Sequence, residues 1–111
     1  MFNWDAANQQ LGNAVVENEA KESILVVDDE EANRNLLRGI LSRDYDVILA
    51  RDGQDALRRT SENESISAIV CDHRMPGMTG VEFFCELHKQ QHSATRIILT
   101  GYAELQSIIN A

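Results

Sequence analysis

The sequence lacks the features that mark membrane, secreted and metal-thiolate proteins. No apolar run approaches the roughly 20 residues that cross a bilayer, and the amino terminus lacks the basic and then apolar order of a signal peptide. We therefore predict no membrane segment and a cytoplasmic location. Of its two cysteines, neither Cys71 nor Cys85 has a second cysteine or a histidine at metal-site spacing. We interpret both as buried structural thiols.

Positive charge is scarce as well. Lys and Arg number 10 against 18 Asp and Glu, which gives a formal net charge of −8. Because neutralising nucleic-acid phosphates takes clustered Lys and Arg, and the sequence shows no such cluster, we predict no direct contact with nucleic acid. The 111 residues, 43% of them hydrophobic, fit one domain.

The amino-terminal segment differs in composition from the rest. Residues 1–22 are rich in Asn, Gln, Glu and Ala, and we predict a flexible arm. The alternative is that its apolar side chains, Phe2, Trp4, Leu11 and Val15, dock on the domain.

Residues 23–111 alternate between two hydrophobic patterns. Short apolar runs predict four strands, at residues 24–27, 47–49, 66–71 and 97–99. Helical spacing of apolar residues predicts helices at about 31–42, around Ala56 and Leu57, from Val81 to Leu87 and from Leu105 onward. This alternation indicates parallel strands joined by right-handed crossovers, with helices on both faces, which is the doubly wound α/β class.

Acidic residues follow two of the predicted strands. Asp28 and Asp29 close the first strand and Asp72 closes the third, and in a flavodoxin-like strand order these strands are neighbours at the point where the order reverses. The carboxylates should therefore converge, at a repulsive cost that a bound cation would offset. Magnesium is favoured because it takes oxygen ligands. For the acidic pair alone, a helix cap with surface charge remains the alternative.

Three segments resemble the receiver domain of two-component response regulators: residues 24–30 (ILVVDDE), 72–80 (DHRMPGMTG) and 97–101 (IILTG). The resemblance covers about residues 23–111 and implies a flavodoxin-like sheet of order 2-1-3-4, continued in the family by a fifth strand. It implies a signalling switch that accepts a phosphoryl group from a histidine kinase or phosphotransfer protein.

The resemblance also assigns roles to individual residues. Asp72 would be the phosphoacceptor, Asp29 a direct magnesium ligand and Asp28 a ligand through water. The backbone carbonyl of Arg74 would complete the protein ligands together with Asp72. Thr100 would be the switch hydroxyl, which turns toward the phosphoryl group after modification.

The loop after Asp72 contains four residues that we expect to set its shape. Gly77 and Gly80 allow tight turning beside the carboxylate, and ordinary turn chemistry is the alternative for each. Met75 and Pro76 are expected to hold the loop by packing and by a fixed φ.

The sequence departs from the family after Thr100. Residues 101–111 suffice for part of a fourth helix, so we expect the fifth strand and helix to be missing, together with the lysine that ends the family's fifth strand. Lys21 and Lys89 do not occupy that position. Truncation, exchange with a second chain and cover by the amino-terminal arm are the open explanations.

An incomplete sheet would expose the edge of its fourth strand, and we therefore predict self-association. The alternative function is a phosphorylation-independent dimerisation or interaction domain. A magnesium-dependent phosphatase with an aspartyl nucleophile is disfavoured, because position 74, two residues beyond Asp72, carries no general acid. We expect a phosphoryl acceptor that assists its own modification and not an enzyme in the usual sense.

Overall fold

The computed structural model describes residues 21–100 and residue 110. Helices and strands alternate along the chain in the order β1 (Ser23–Val27), α1 (Glu31–Leu41), β2 (Asp46–Ala50), α2 (Gly53–Glu62), β3 (Ile66–Asp72), α3 (Gly80–Lys89) and β4 (Thr95–Leu99). Every strand and helix predicted between residues 23 and 100 is present. The predicted helix from Leu105 and nearly all of the predicted arm, residues 1–22, lie outside the described residues.

The four strands form one parallel sheet in the order β2-β1-β3-β4. This confirms the doubly wound α/β fold and the predicted strand order. β1 and β3 are adjacent, with Val27 beside Cys71, and Asp72 at the end of β3 lies beside Leu99 of β4. Because all strands run in one direction, the residues that follow them collect at a single edge of the sheet. Within residues 21–100, β4 has no further strand beside it.

The hydrophobic core lies between the sheet and the helices α2 and α3. Its most buried side chains come from both layers: Leu25, Val27, Ala56, Ile69, Cys71, Phe83 and Leu87. On β1 and β3 the contributing residues alternate, as expected when every second side chain of a strand points to the same face. The core therefore holds the carboxyl ends of β1 and β3 at a fixed separation.

Side-chain caps determine where α2 and α3 begin. The Asp52 carboxylate accepts a hydrogen bond of 2.8 Å from the Asp55 N–H. At α3 the Thr79 hydroxyl accepts from the Glu82 N–H at 3.1 Å, and the Glu82 carboxylate accepts from the Thr79 N–H at 3.2 Å. This reciprocal capping box satisfies amide groups that the helix itself leaves unpaired. It also fixes the end of the loop that leads from Asp72 into α3.

The two cysteines have different environments. Cys71 is fully buried, as predicted, but Cys85 is exposed, so its interpretation as a buried thiol is wrong. Phe83 and Leu87 are the large buried side chains of α3. Cys85 is two positions from each of them, which places it about 200° around the helix and therefore on the solvent side.

Helix α1 forms where it was predicted, but it contains no buried residue. Leu36 and Ile40 are each 62% exposed, although their spacing is that of a core-facing stripe. Ile97 and Leu99 of β4 are each 43% exposed. Ile97 is aligned across the sheet with Val26, on the face opposite the core. We call Leu36, Ile40, Ile97 and Leu99 the open face, since nothing within residues 21–100 covers them.

Among the described residues, no helix combines the length and the apolar character needed to span a bilayer.

Candidate functional site

Three carboxylates meet at the carboxyl edge of the sheet. Asp28 and Asp29 follow β1, and Asp72 is the last residue of β3. Each offers one oxygen atom, and these three atoms lie within 4.8 Å of one another. Asp28 is 6% exposed, Asp72 is half-buried and Asp29 is exposed. The structure thus brings together the three acids that the sequence indicated.

Hydrogen bonds on either side of Asp28 hold its carboxylate in the site. The Asp28 N–H donates to the Ala50 carbonyl at 3.1 Å, which continues the pairing of β1 with β2 by one residue. The Glu30 N–H donates to Asp28 Oδ1 at 2.9 Å, and the Arg34 guanidinium donates to the Asp28 carbonyl at 2.7 Å. The turn from β1 into α1 is therefore built around Asp28.

The backbone next to Asp72 is held equally closely. The His73 N–H donates to the Leu99 carbonyl at 3.3 Å, and the Gly80 N–H donates to the His73 carbonyl at 2.9 Å. A Cβ atom added to Gly80 would lie 2.9 Å from the Asp72 carbonyl oxygen, closer than real Cβ contacts allow. Glycine at position 80 therefore lets the start of α3 approach the end of β3.

The rest of the loop is anchored at one residue and turns at another. Met75 is 7% exposed and belongs to the core cluster, so its side chain ties the loop to the domain. Pro76 is exposed. Gly77 has φ of +80°, a left-handed conformation that strains residues with a Cβ atom.

A cavity of about 370 Å³ opens beside the carboxylates. It is lined by Asp28, Asn33, Leu36, Leu37, Asp72, Leu99 and Thr100. Thr100 comes directly after β4, where Leu99 lies beside Asp72, and this register brings the threonine to the same cavity. Arg74 is an exposed residue of the loop, two positions after Asp72. Asp29 and Arg74 do not line the cavity.

The thiol of Cys71, next to these carboxylates, is unreactive at neutral pH. Burial raises the pKa of Cys71 to about 12, and the negative charges of Asp72 and Asp28 act in the same direction. Its Sγ donates to the Asp72 carbonyl at 3.2 Å. The thiolate, which is the reactive form, is therefore rare at neutral pH.

The donor set matches a hard divalent cation. All three side chains offer carboxylate oxygens, which are the ligands that Mg²⁺ prefers, and Mg²⁺ commonly binds one or two protein carboxylates while keeping several waters. No nitrogen or sulfur ligand, of the kind that predominates in zinc sites, belongs to this cluster. The residues present therefore fit magnesium.

Sequence reasoning missed two residues here, Arg34 and Asn33. Arg34 donates to the backbone of Asp28, and Asn33 lines the cavity from the first turn of α1. No sequence signal distinguished Arg34, because its acceptor is a main-chain carbonyl that every residue carries.

Comparison with known families identifies the family to which this fold belongs. Residues 24–111 match the family described as response regulator receiver domain. The chain belongs to this family. Receiver domains are signalling domains, and the strand order and the acidic cluster of this chain agree with that membership.

Curated relatives of this receiver domain are much longer proteins. The hydrogenase transcriptional regulatory protein HoxA of Cupriavidus necator is 37% identical over 87 residues, which are 78% of this chain and 18% of HoxA. The alkaline phosphatase synthesis transcriptional regulatory protein PhoP of Bacillus subtilis is 42% identical over 82 residues, which are 73% of this chain and 34% of PhoP. The receiver domain thus spans about a fifth to a third of the length of these relatives.

Solved structures give the same assignment. A response regulator receiver domain protein from Clostridium thermocellum superposes with a TM-score of 0.74 at 32% sequence identity. The match covers 80% of this receiver domain and 72% of the other chain.

Proposed function

We propose that this receiver domain accepts a phosphoryl group on Asp72 from a histidine kinase or a phosphotransfer protein of a two-component relay. One observation carries the proposal: Asp72 is half-buried, shares a cavity with Thr100 and offers an oxygen within 4.8 Å of oxygens from Asp28 and Asp29. A lone carboxylate would be a surface charge. Three at one sheet edge form a site that can hold a cation and react.

The reaction is a displacement at phosphorus. A carboxylate oxygen of Asp72 attacks the phosphorus atom of a phosphohistidine, and the bond from phosphorus to the imidazole nitrogen breaks. The electron pair of that bond stays on the nitrogen. The product on this chain is an acyl phosphate. The 370 Å³ cavity at Asp72 gives the donor a route to the carboxylate.

We propose that Mg²⁺ is the cofactor, held by Asp29 directly, by Asp28 through water, and by Asp72 and the Arg74 backbone carbonyl. When bound, the ion offsets the negative charge that develops on the transferred group. The hydrogen bonds to Asp28 from Glu30 and to its carbonyl from Arg34 keep this side of the site in place without the ion.

Thr100 is the proposed switch residue. Its position after β4, lining the same cavity as Asp72, suits a hydroxyl that hydrogen-bonds a phosphoryl oxygen after modification. Met75, Pro76, Gly77 and Gly80 maintain the shape of the loop that follows Asp72.

We propose that the domain has no catalytic turnover and makes no contact with nucleic acid or membrane. We also propose the cytoplasmic location expected from the sequence. HoxA and PhoP are named as transcriptional regulators. By analogy, we propose that any DNA-binding activity of the full-length protein resides outside this domain.

Phosphorylation can be tested with magnesium and a small-molecule phosphodonor, followed by intact-mass measurement. We expect one phosphoryl adduct on the native protein, none on Asp72→Asn, and an unchanged adduct on Asp46→Asn, an exposed acid at the opposite end of the sheet. No adduct on the native protein, or an equal adduct on Asp72→Asn, contradicts the assignment.

The second candidate function is phosphorylation-independent self-association through the edge of β4. The observation that favours it is the open face, where Leu36 and Ile40 are 62% exposed and Ile97 is 43% exposed. Light scattering across a concentration series should show a dimer, and Ile97→Asp should weaken it. Ser61→Asp, at an exposed position of α2 and away from β4, is the matched control. A monomer at high concentration with a cooperative melt argues against this candidate.

A further inference from the structure

Four arginines converge at the carboxyl end of the edge strand β2. A cavity of about 340 Å³ is lined by Arg34, Leu49, Ala50, Arg51, Asp55, Arg58 and Arg59. We call it the arginine pocket. The chain as a whole has a net charge of −8, and only 10 of its residues are Lys or Arg. The pocket therefore concentrates positive charge in a domain that is otherwise acidic.

The Asp55 carboxylate interacts with three of these four arginines. The Arg58 guanidinium hydrogen-bonds Asp55 Oδ1, and the Arg51 backbone N–H donates to Asp55 Oδ2 at 3.2 Å. Arg59 Nε lies 3.9 Å from the same carboxylate. Burial acts to raise the pKa of Asp55, but the hydrogen bonds from Arg58 and Arg51 and the nearby positive charges hold it below its usual range. Asp55 is thus ionised at neutral pH and supplies a single negative charge.

Two arginines of the pocket, Arg34 and Arg59, form no hydrogen bond to the Asp55 carboxylate. The Arg34 guanidinium donates to a neutral acceptor, the Asp28 carbonyl, and not to the Asp55 carboxylate. Arg59 Nε is buried and has no hydrogen-bond partner among the described residues. A buried donor without a partner is costly, so the protein's own acceptors do not satisfy the arginines of this pocket.

We propose that the arginine pocket binds a small anion that carries phosphate groups. Guanidinium groups match phosphate oxygens through paired hydrogen bonds, which makes arginine the preferred residue for such recognition. Four guanidiniums line the pocket with Asp55 as its acidic lining residue, and Glu62 attracts Arg58 from outside the pocket, so an anion with more than one negative charge suits this site. The volume suits a small molecule, and the net charge of the domain opposes a long polyanion such as nucleic acid.

The pocket is separate from the phosphorylation site. It shares no lining residue with the cavity at Asp72 and Thr100. Two hydrogen bonds to the backbone of Asp28 link the sites: the Arg34 guanidinium donates to the Asp28 carbonyl, and the Asp28 N–H donates to the carbonyl of Ala50, which lines the pocket. We therefore exclude Arg34 from the test variants, so that failure of this inference leaves the proposed phosphorylation of Asp72 unaffected.

The test uses the whole chain at low ionic strength without magnesium, titrated with inorganic pyrophosphate. Amide shifts of ¹⁵N-labelled protein should be saturable and centred on Arg51 and Arg58. Arg51→Gln should weaken binding about tenfold, the usual scale for a charge-assisted hydrogen bond. Arg43→Gln is the matched control, since Arg43 is also exposed but precedes the start of β2.

Several results would overturn the inference. Shifts that do not saturate, or equal weakening by Arg43→Gln, would show only diffuse attraction to positive charge. An acidic peptide that displaces pyrophosphate and binds more tightly would replace the small ligand with a protein partner. Thermal melting checks that Arg51→Gln is folded, and Arg58→Gln, which should also weaken binding, provides an independent second variant.

Discussion

Removing the charge of Asp72 should stabilise the metal-free protein. Its carboxylate contributes one of three oxygens within 4.8 Å of one another. At 4.8 Å two unit charges repel by about 3.5 kcal/mol at an effective dielectric near 20, and by about 1 kcal/mol in water. Because Asp29 is exposed and Asp72 is only half-buried, the lower part of this range applies. We expect Asp72→Asn to raise the free energy of unfolding by about 1–2 kcal/mol.

The assay is thermal or urea unfolding at neutral pH, first with a chelator and then with magnesium. In a domain of this size each 1 kcal/mol shifts the melting temperature by about 4–8 °C. Magnesium should stabilise the native protein, by about 2.7 kcal/mol at a hundred times its dissociation constant. It should stabilise Asp72→Asn much less, because that variant has lost a ligand.

Asp46→Asn controls for the general effect of reducing negative charge, since Asp46 lies at the other end of the sheet. It should change neither the stability in chelator nor the response to magnesium by more than a few tenths of a kcal/mol. The reasoning is refuted if Asp72→Asn is less stable than the native protein in chelator. It is refuted as well if magnesium stabilises Asp72→Asn and Asp46→Asn equally.

Three further predictions concern the core, the thiols and acid stability. Phe83→Ala should lower the free energy of unfolding in urea by about 3–5 kcal/mol, because Phe83 is fully buried. Phe84→Ala, at a half-buried position, should lower it clearly less. Equal losses in the two variants would contradict the observed packing. Iodoacetamide at about pH 8 should label the exposed Cys85 in the folded protein. It should leave Cys71, whose pKa is raised to about 12, unreacted until the protein unfolds. Equal labelling rates of the two cysteines, measured by peptide mass spectrometry, would contradict this prediction. The pKa of Asp55 is below its ordinary value of 3.8, so its stabilising contribution is present above that pH and is lost as pH falls through the lower, folded-state value. In Asp55→Asn the free energy of unfolding should therefore fall less steeply as pH is lowered than in the native protein. An equally steep fall in both proteins would contradict the hydrogen bonds from Arg58 and Arg51.

The sequence alone predicted the order of strands and helices and the position of the acidic residues. Apolar runs and helical spacing located each strand and helix between residues 23 and 100, because burial on one face imposes a period that is visible along the chain. Asp28, Asp29 and Asp72 could be brought together from the sequence, since residues that end neighbouring parallel strands share one edge. The roles of Arg74 and Thr100 rest on resemblance to the family and stay predictions.

The burial of individual side chains was harder to predict from the sequence. The stripe of Leu36 and Ile40 predicted α1 correctly, yet a periodic pattern states only that a helix has an apolar face. Whether another element covers that face depends on the rest of the fold, and here both side chains are 62% exposed. Cys85 was misjudged for a related reason, because it lies among apolar residues in sequence but points away from Phe83 and Leu87 in space.

The sequence by itself determined the order of elements and the acidic edge of the sheet, since both follow from local periodicity and from the shared direction of parallel strands. Only the tertiary structure decided where positive charge collects. The sequence shows no cluster of Lys and Arg, but Arg34 of α1 and Arg58 and Arg59 of α2 meet beside Arg51 at the end of β2. Helices on opposite faces of a sheet can approach each other around its edge strand, and that proximity leaves no trace in the spacing of residues along the chain.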